Sequence, residues 1–182
     1  MSHPFQFIPV NKYVQVFIPL LGLTLLLTVV LWAIPLNPGI VQFELNAREV
    51  IGFATEQSAI ASWNETDKSW AAFSLGLDFL YLVVYSTTIS LACVWTANVL
   101  QTRALPLASV GTWLAWGQWL AALLDVVENL ALVSILFGYG TDFSPQISKW
   151  CAITKFGLIA LGLLYVGLGG VLQLKSSLLK QT

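Results

Sequence analysis

Four long apolar runs, three of them with polar residues set inside, constrain this chain more than any other feature. From Val14 to Leu36 no charged residue occurs, and at about 1.5 Å per helical residue that length crosses a hydrocarbon core of about 30 Å. Comparable runs follow at 71–100, 107–137 and 150–174. In hydrocarbon every backbone N–H and C=O needs a partner within the protein, and a helix supplies them all within one segment. The runs therefore predict an all-α integral membrane protein, a single domain over 1–182 built as a four-transmembrane-helix bundle. Composition agrees, with 57% hydrophobic and 9% charged residues, where soluble domains carry about a quarter charged residues. The first run is too long for the roughly 7–15-residue apolar part of a signal peptide, and no A-x-A site follows it, so it reads as a span.

Between the first two spans, 37–70 is the longest polar stretch. Phe43, Ala47, Val50, Ile51 and Ala54 recur at helical spacing, and Glu44 and Arg48 form an i, i+4 pair. An amphipathic helix over Phe43–Ile60, lying on or over the bundle on its extracytoplasmic side, is expected. Asn64, Glu65 and Thr66 match the glycosylation acceptor pattern, a three-residue match that is common by chance. Four spans put both termini on one side. Lys12, Arg103, Lys175 and Lys180 flank that side, against Arg48, Lys68 and Lys149 on the other, so the positive-inside rule favours both termini in the cytoplasm and a place in the cell (inner) membrane. Trp32, Trp70 and Trp150 then mark the outer interface, and Trp95 and Trp113 the inner one.

The third run carries Asp125, Glu128 and Asn129 at i, i+3 and i+4, so all three side chains leave one helix face. An ionised group near the middle of a span costs roughly 2.5–3.5 kcal/mol on insertion scales. Such residues are kept for a partner or a function. Heights counted at about 1.5 Å per residue from the span centres put Asp78 and Lys155 roughly 10 Å to the outer side, Asn129 about 9 Å, Glu128 about 7 Å and Asp125 about 3 Å. Three helices thus bring ionisable groups into one outer layer. On the second span Ser74, Asp78, Tyr81, Tyr85 and Thr88 draw a polar stripe at spacings of four and three. Gly111, Gln118 and Asp125 repeat every seven residues on the third span, and Ser148, Lys155, Gly162 and Gly169 do so on the fourth, where the glycines admit a neighbouring helix.

The expected site is therefore Asp78, Tyr81, Tyr85, Asp125, Glu128, Asn129 and Lys155, in a pocket open to the outer face. The rival reading for the same residues is an ion pair that joins Lys155 to Asp78 or Glu128 and holds the helices in register. The one histidine is His3, ahead of the first span, so neither haem nor zinc is expected in the membrane interior. A metal, if one binds, is a divalent cation with oxygen ligands, held by Asp78, Asp125 and Glu128. Cys93 and Cys151 fall on opposite sides and are not expected to pair. The chain has no phosphate-binding glycine loop, no HExxH and no GxSxG. It also has no basic run, which argues against nucleic acid as a partner.

Three functions fit these residues. The first is an outward-facing acidic pocket that binds, and in an oligomer transports, a proton, a cation or a small amine-bearing or amphipathic ligand. The second is an intramembrane enzyme using paired carboxylates as acid and base on a lipid-like substrate. The third is an accessory or assembly subunit of a larger membrane complex. The expected partners are the lipid bilayer with, for the first and third functions, a homo-oligomer or a larger complex.

Overall fold

The structure, a computed structural model, describes residues 2–34 and 60–178. All regular structure among them is helical: α1 (Tyr13–Ala33), α2 (Glu65–Thr102), α3 (Ala108–Leu136) and α4 (Ser144–Leu178), with two short 3-10 turns, Pro4–Phe7 and Val10–Lys12, ahead of α1. Each of the four helices has the length and composition to cross a membrane, as a four-helix membrane bundle requires. The amphipathic helix expected over 43–60, with its Glu44–Arg48 pair, lies outside the described residues apart from Ile60.

The helices run past the apolar runs because capping residues extend them. α2 starts at Glu65 rather than at 71. Asn64 Oδ1 accepts the Asp67 backbone N–H at 2.9 Å, and the Asp67 carboxylate accepts the Asn64 N–H at 3.4 Å. This reciprocal cap satisfies two orphan donors and places Glu65 and Asp67 in the first turn, where the helix dipole favours negative charge. The glycosylation-like triplet is thus the start of a helix. α4 begins at Ser144, six positions ahead of the apolar run, with Pro145 in its first turn where no N–H is needed.

The turns after α2 and α3 use one device. At the end of α3, Tyr139 N–H bonds Ser134 O at 2.8 Å and Gly138 N–H bonds Ile135 O at 3.1 Å, with Gly138 at φ 77°. At the end of α2, Leu105 N–H bonds Leu100 O at 2.9 Å and Ala104 N–H bonds Gln101 O at 3.0 Å, with Ala104 at φ 53°. Both are Schellman closures, and the left-handed position holds glycine in one and alanine in the other.

Two compact units divide the chain. The first comprises Met1–Thr24, Val84–Ala121 and Phe156–Thr182, around a core that includes Tyr13, Leu91, Val94, Leu100 and Tyr165. The glycines of the seam do here what their spacing predicts. A Cβ on Gly162 would stand 2.5 Å from Gln118 Nε2, and one on Gly111 would stand 2.8 Å from the Cys93 carbonyl oxygen. Gln118 Nε2 donates to Leu158 O at 2.8 Å, and Asn98 Nδ2 donates to Tyr13 Oη at 2.8 Å. Thr24 Oγ1 and Thr88 Oγ1 share a hydrogen bond of 2.8 Å.

The second unit comprises Leu25–Val83 and Ala122–Lys155, around a core of Ile60, Trp63, Leu75, Leu132 and Ile135 among others. Here Thr28 Oγ1 donates to Tyr81 Oη at 3.1 Å. α1 carries no ionisable residue after its first turn, and 6% of its apolar window is buried within the protein. Cys93 and Cys151 are both free thiols, one in each unit.

Candidate functional site: a buried ion cluster

The second unit gathers Asp78 of α2, Asp125, Glu128 and Asn129 of α3 and Lys155 of α4. Lys155 Nζ lies 2.6 Å from Glu128 Oε2 and donates to Asp125 Oδ1. One turn along α3, Asn129 Nδ2 donates to Asp78 Oδ2 at 2.6 Å. Asp125, Glu128 and Asn129 are each 2% exposed and Lys155 is 6% exposed, while Asp78 is half-buried. An ion this far from water is tolerable only where opposite charge and hydrogen bonds replace its hydration. The i, i+3 spacing of Asp125 and Glu128 achieves that by aiming both carboxylates at one ammonium.

Of the two partners expected for Lys155, Glu128 lies on its ammonium and Asp78 receives the Asn129 amide. Lys155 also reaches Asp125, so it serves both acids of α3. Its long side chain bridges the height difference from Asp125, which a count by Cα position treats as separation. Tyr81 belongs to this unit and accepts from Thr28. Tyr85, which is buried, belongs to the other unit. Ser148, two turns before Lys155 on the same face, is buried with no hydrogen-bond partner for its hydroxyl.

Among the described residues no group of three or more His, Cys, Asp and Glu side chains is placed to hold a metal ion. The set Asp78, Asp125 and Glu128 is not a three-carboxylate cage. The ammonium of Lys155 stands where a cation between Asp125 and Glu128 would sit, and Asp78 is engaged by an amide.

A second polar centre, in the first unit, has no counterpart in the sequence reading. His3 is not an exposed tail residue; its exposure is 0%. Its Nδ1 accepts the Phe5 backbone N–H at 3.3 Å, its Nε2 lies 3.2 Å from Ser90 Oγ, and Ser90 Oγ donates to the Ala115 carbonyl at 3.0 Å. The rings of Phe5, Trp116 and Trp119 stand 4.8–4.9 Å from the imidazole centroid. Burial holds the imidazole pKa below its ordinary 6.5. The sequence signal lay in Trp116 and Trp119, an i, i+3 aromatic pair inside a span rather than at its edge.

Fold and cluster together define a four-span helical membrane protein with a buried ion cluster. No protein-family model, no curated protein and no solved structure matches this chain.

Proposed function

We propose that the chain is a membrane protein that binds a proton at the Asp125–Glu128 pair, in a site that opens to the extracytoplasmic side, with Lys155 as the resident cation whose hold the proton weakens. The observation that carries this reading is the single ammonium shared by two buried carboxylates. Protonating either acid removes part of the charge that fixes Lys155, so the position of a buried cation becomes a function of proton occupancy. Of the ligands the sequence admits, the proton alone enters without taking the place of Lys155. A metal cation or an amine-bearing ligand enters by exchange with it. Transport requires an oligomer, since four helices seldom enclose a complete path.

The test is thermal melting in detergent from about pH 5 to 9, with and without calcium, magnesium and a panel of small amines. It is run in a His3→Asn background to remove the titration of the one histidine. The parent should melt with a pH dependence that Asp125→Asn/Glu128→Gln lacks, because a ligand that binds only the folded state stabilises it. The same flat response from both proteins would sink the proposal.

A second reading, an accessory or assembly subunit with the cluster as internal glue, is favoured by the direct contact of Lys155 with both acids. It predicts that same flat response, together with co-purification of a partner that is lost in Lys155→Ala.

A further inference from the structure

We infer that His3 is a proton-operated latch: the neutral imidazole fastens the segment ahead of α1 to α2 and α3, and its protonation releases that segment. The hydrogen bonds fix the state of the ring. Ser90 has one hydroxyl proton, and it points to the Ala115 carbonyl. The Ser90 oxygen therefore accepts from His3 Nε2–H at 3.2 Å, which leaves Nδ1 as the acceptor for Phe5 N–H at 3.3 Å. Both ring nitrogens are used, and each in only one role. A second proton has to go on Nδ1, where it meets the Phe5 N–H head on.

The groups around the ring offer a cation little in return. From its own segment His3 faces Phe5 and Gln6, whose Oε1 accepts the His3 backbone N–H at 3.2 Å. From α2 it faces Ser90, and from α3 the Ala115 carbonyl, Trp116 and Trp119. None of these is a carboxylate. The titratable group closest in this network is Tyr13, one bond further on, where its hydroxyl donates to Phe5 O at 2.9 Å. The tryptophan rings give some cation–π attraction, and burial outweighs it, consistent with the lowered pKa of the imidazole.

What the latch holds is specific. Phe5 is bound to His3 through its N–H and to Tyr13 through its carbonyl, and Gln6 Nε2 reaches Thr112 Oγ1 at 3.0 Å. The His3 side chain also caps the 3-10 turn Pro4–Phe7. Loss of Nδ1 as an acceptor therefore unties the turn from within, and the cation, buried among aromatic rings, is drawn toward water and away from Ser90 although Nε2–H remains a donor.

The chain contains one histidine, so a protein purified without a histidine tag and labelled with 15N-histidine gives a single imidazole to titrate by NMR. The expected result is an Nε2–H tautomer at neutral pH and a titration midpoint below 6.5. Backbone amides of residues 5–12 should lose protection from hydrogen exchange over that same midpoint. His3→Asn, whose carbonyl accepts but does not titrate in this range, should stay protected throughout. An Nδ1–H tautomer, a midpoint at or above 6.5, or protection that ignores the titration would each overturn the latch, and none of these readings depends on the function proposed for Lys155.

Discussion

Lys155 Nζ and Glu128 Oε2, on consecutive helices, stand 2.6 Å apart in a position almost closed to water. With Asp125 on the same ammonium, the contact joins α3 to α4 by charge rather than by packing alone. Removing one partner of a fully buried pair costs about 3–5 kcal/mol, because the remaining charge stays in low dielectric. Lys155→Ala should destabilise the protein by that amount. Lys155→Met keeps most of the aliphatic stem and should lose about as much. Reversible unfolding in detergent measures both, and a Met variant as stable as the parent would assign the contribution of Lys155 to packing.

The turns after α2 and α3 make a matched pair of tests. Ala104 holds a left-handed conformation, at φ 53°, that costs an L residue roughly 1–2 kcal/mol. Ala104→Gly should therefore raise stability by about 1 kcal/mol. Gly138→Ala should lower it by about the same amount, and Asn64→Ala, which removes the α2 cap, by about 1 kcal/mol. Melting temperatures that move the other way would remove the Schellman assignment.

Glycines on the two faces of α3 and α4 should behave differently. An alanine at Gly111 meets the Cys93 carbonyl oxygen at 2.8 Å, and backbone cannot step aside as a side chain can. Gly111→Ala should cost about 1–3 kcal/mol by overpacking. At Gly157 and Gly167 an added methyl group would have nothing within 4 Å, so alanine there should raise stability by about 0.5–1 kcal/mol, the helix-interior preference for alanine over glycine. Equal melting of Gly111→Ala and Gly157→Ala would contradict the packing described.

Orientation is open to a direct check. In a background of Cys93→Ala/Cys151→Ala, a single cysteine at Asp142 should react with a membrane-impermeant maleimide on intact cells. One at Gln101 should react only after permeabilisation, since the lysine and arginine balance predicts a cytoplasmic place for its turn. The reverse pattern would invert the site.

The spans and most of the ion cluster were legible because a bilayer makes polar residues conspicuous. Asp125, Glu128 and Asn129 share a face by spacing alone, and the seven-residue repeats put Gln118 and Asp125 on one face of α3 and Lys155 and Gly162 on one face of α4. The pairing within the layer was less legible. Backbone height locates a Cα, whereas Lys155 delivers its charge at the end of a flexible stem. Helix starts at Glu65 and Ser144 were missed because hydropathy reports where lipid ends, not where hydrogen bonds end. His3 escaped because a short segment ahead of a span has no period to read; its environment is made by contacts with residues some ninety to a hundred and fifteen positions away.

The Asp125–Lys155–Glu128 contact also bears on how the protein enters the bilayer. α1 has no ionised group in its apolar run and can partition into lipid as soon as it is made. α3 arrives with two acids and an amide, each ionised group disfavoured by roughly 2.5–3.5 kcal/mol in isolation, and the amine that stabilises them is encoded on the following helix. Synthesis at about 5–20 residues per second leaves those acids waiting for seconds until Lys155 emerges. The two helices are therefore expected to leave the insertion machinery as a hairpin, and a ribosome stalled before α4 should leave α3 extractable while α1 is already embedded.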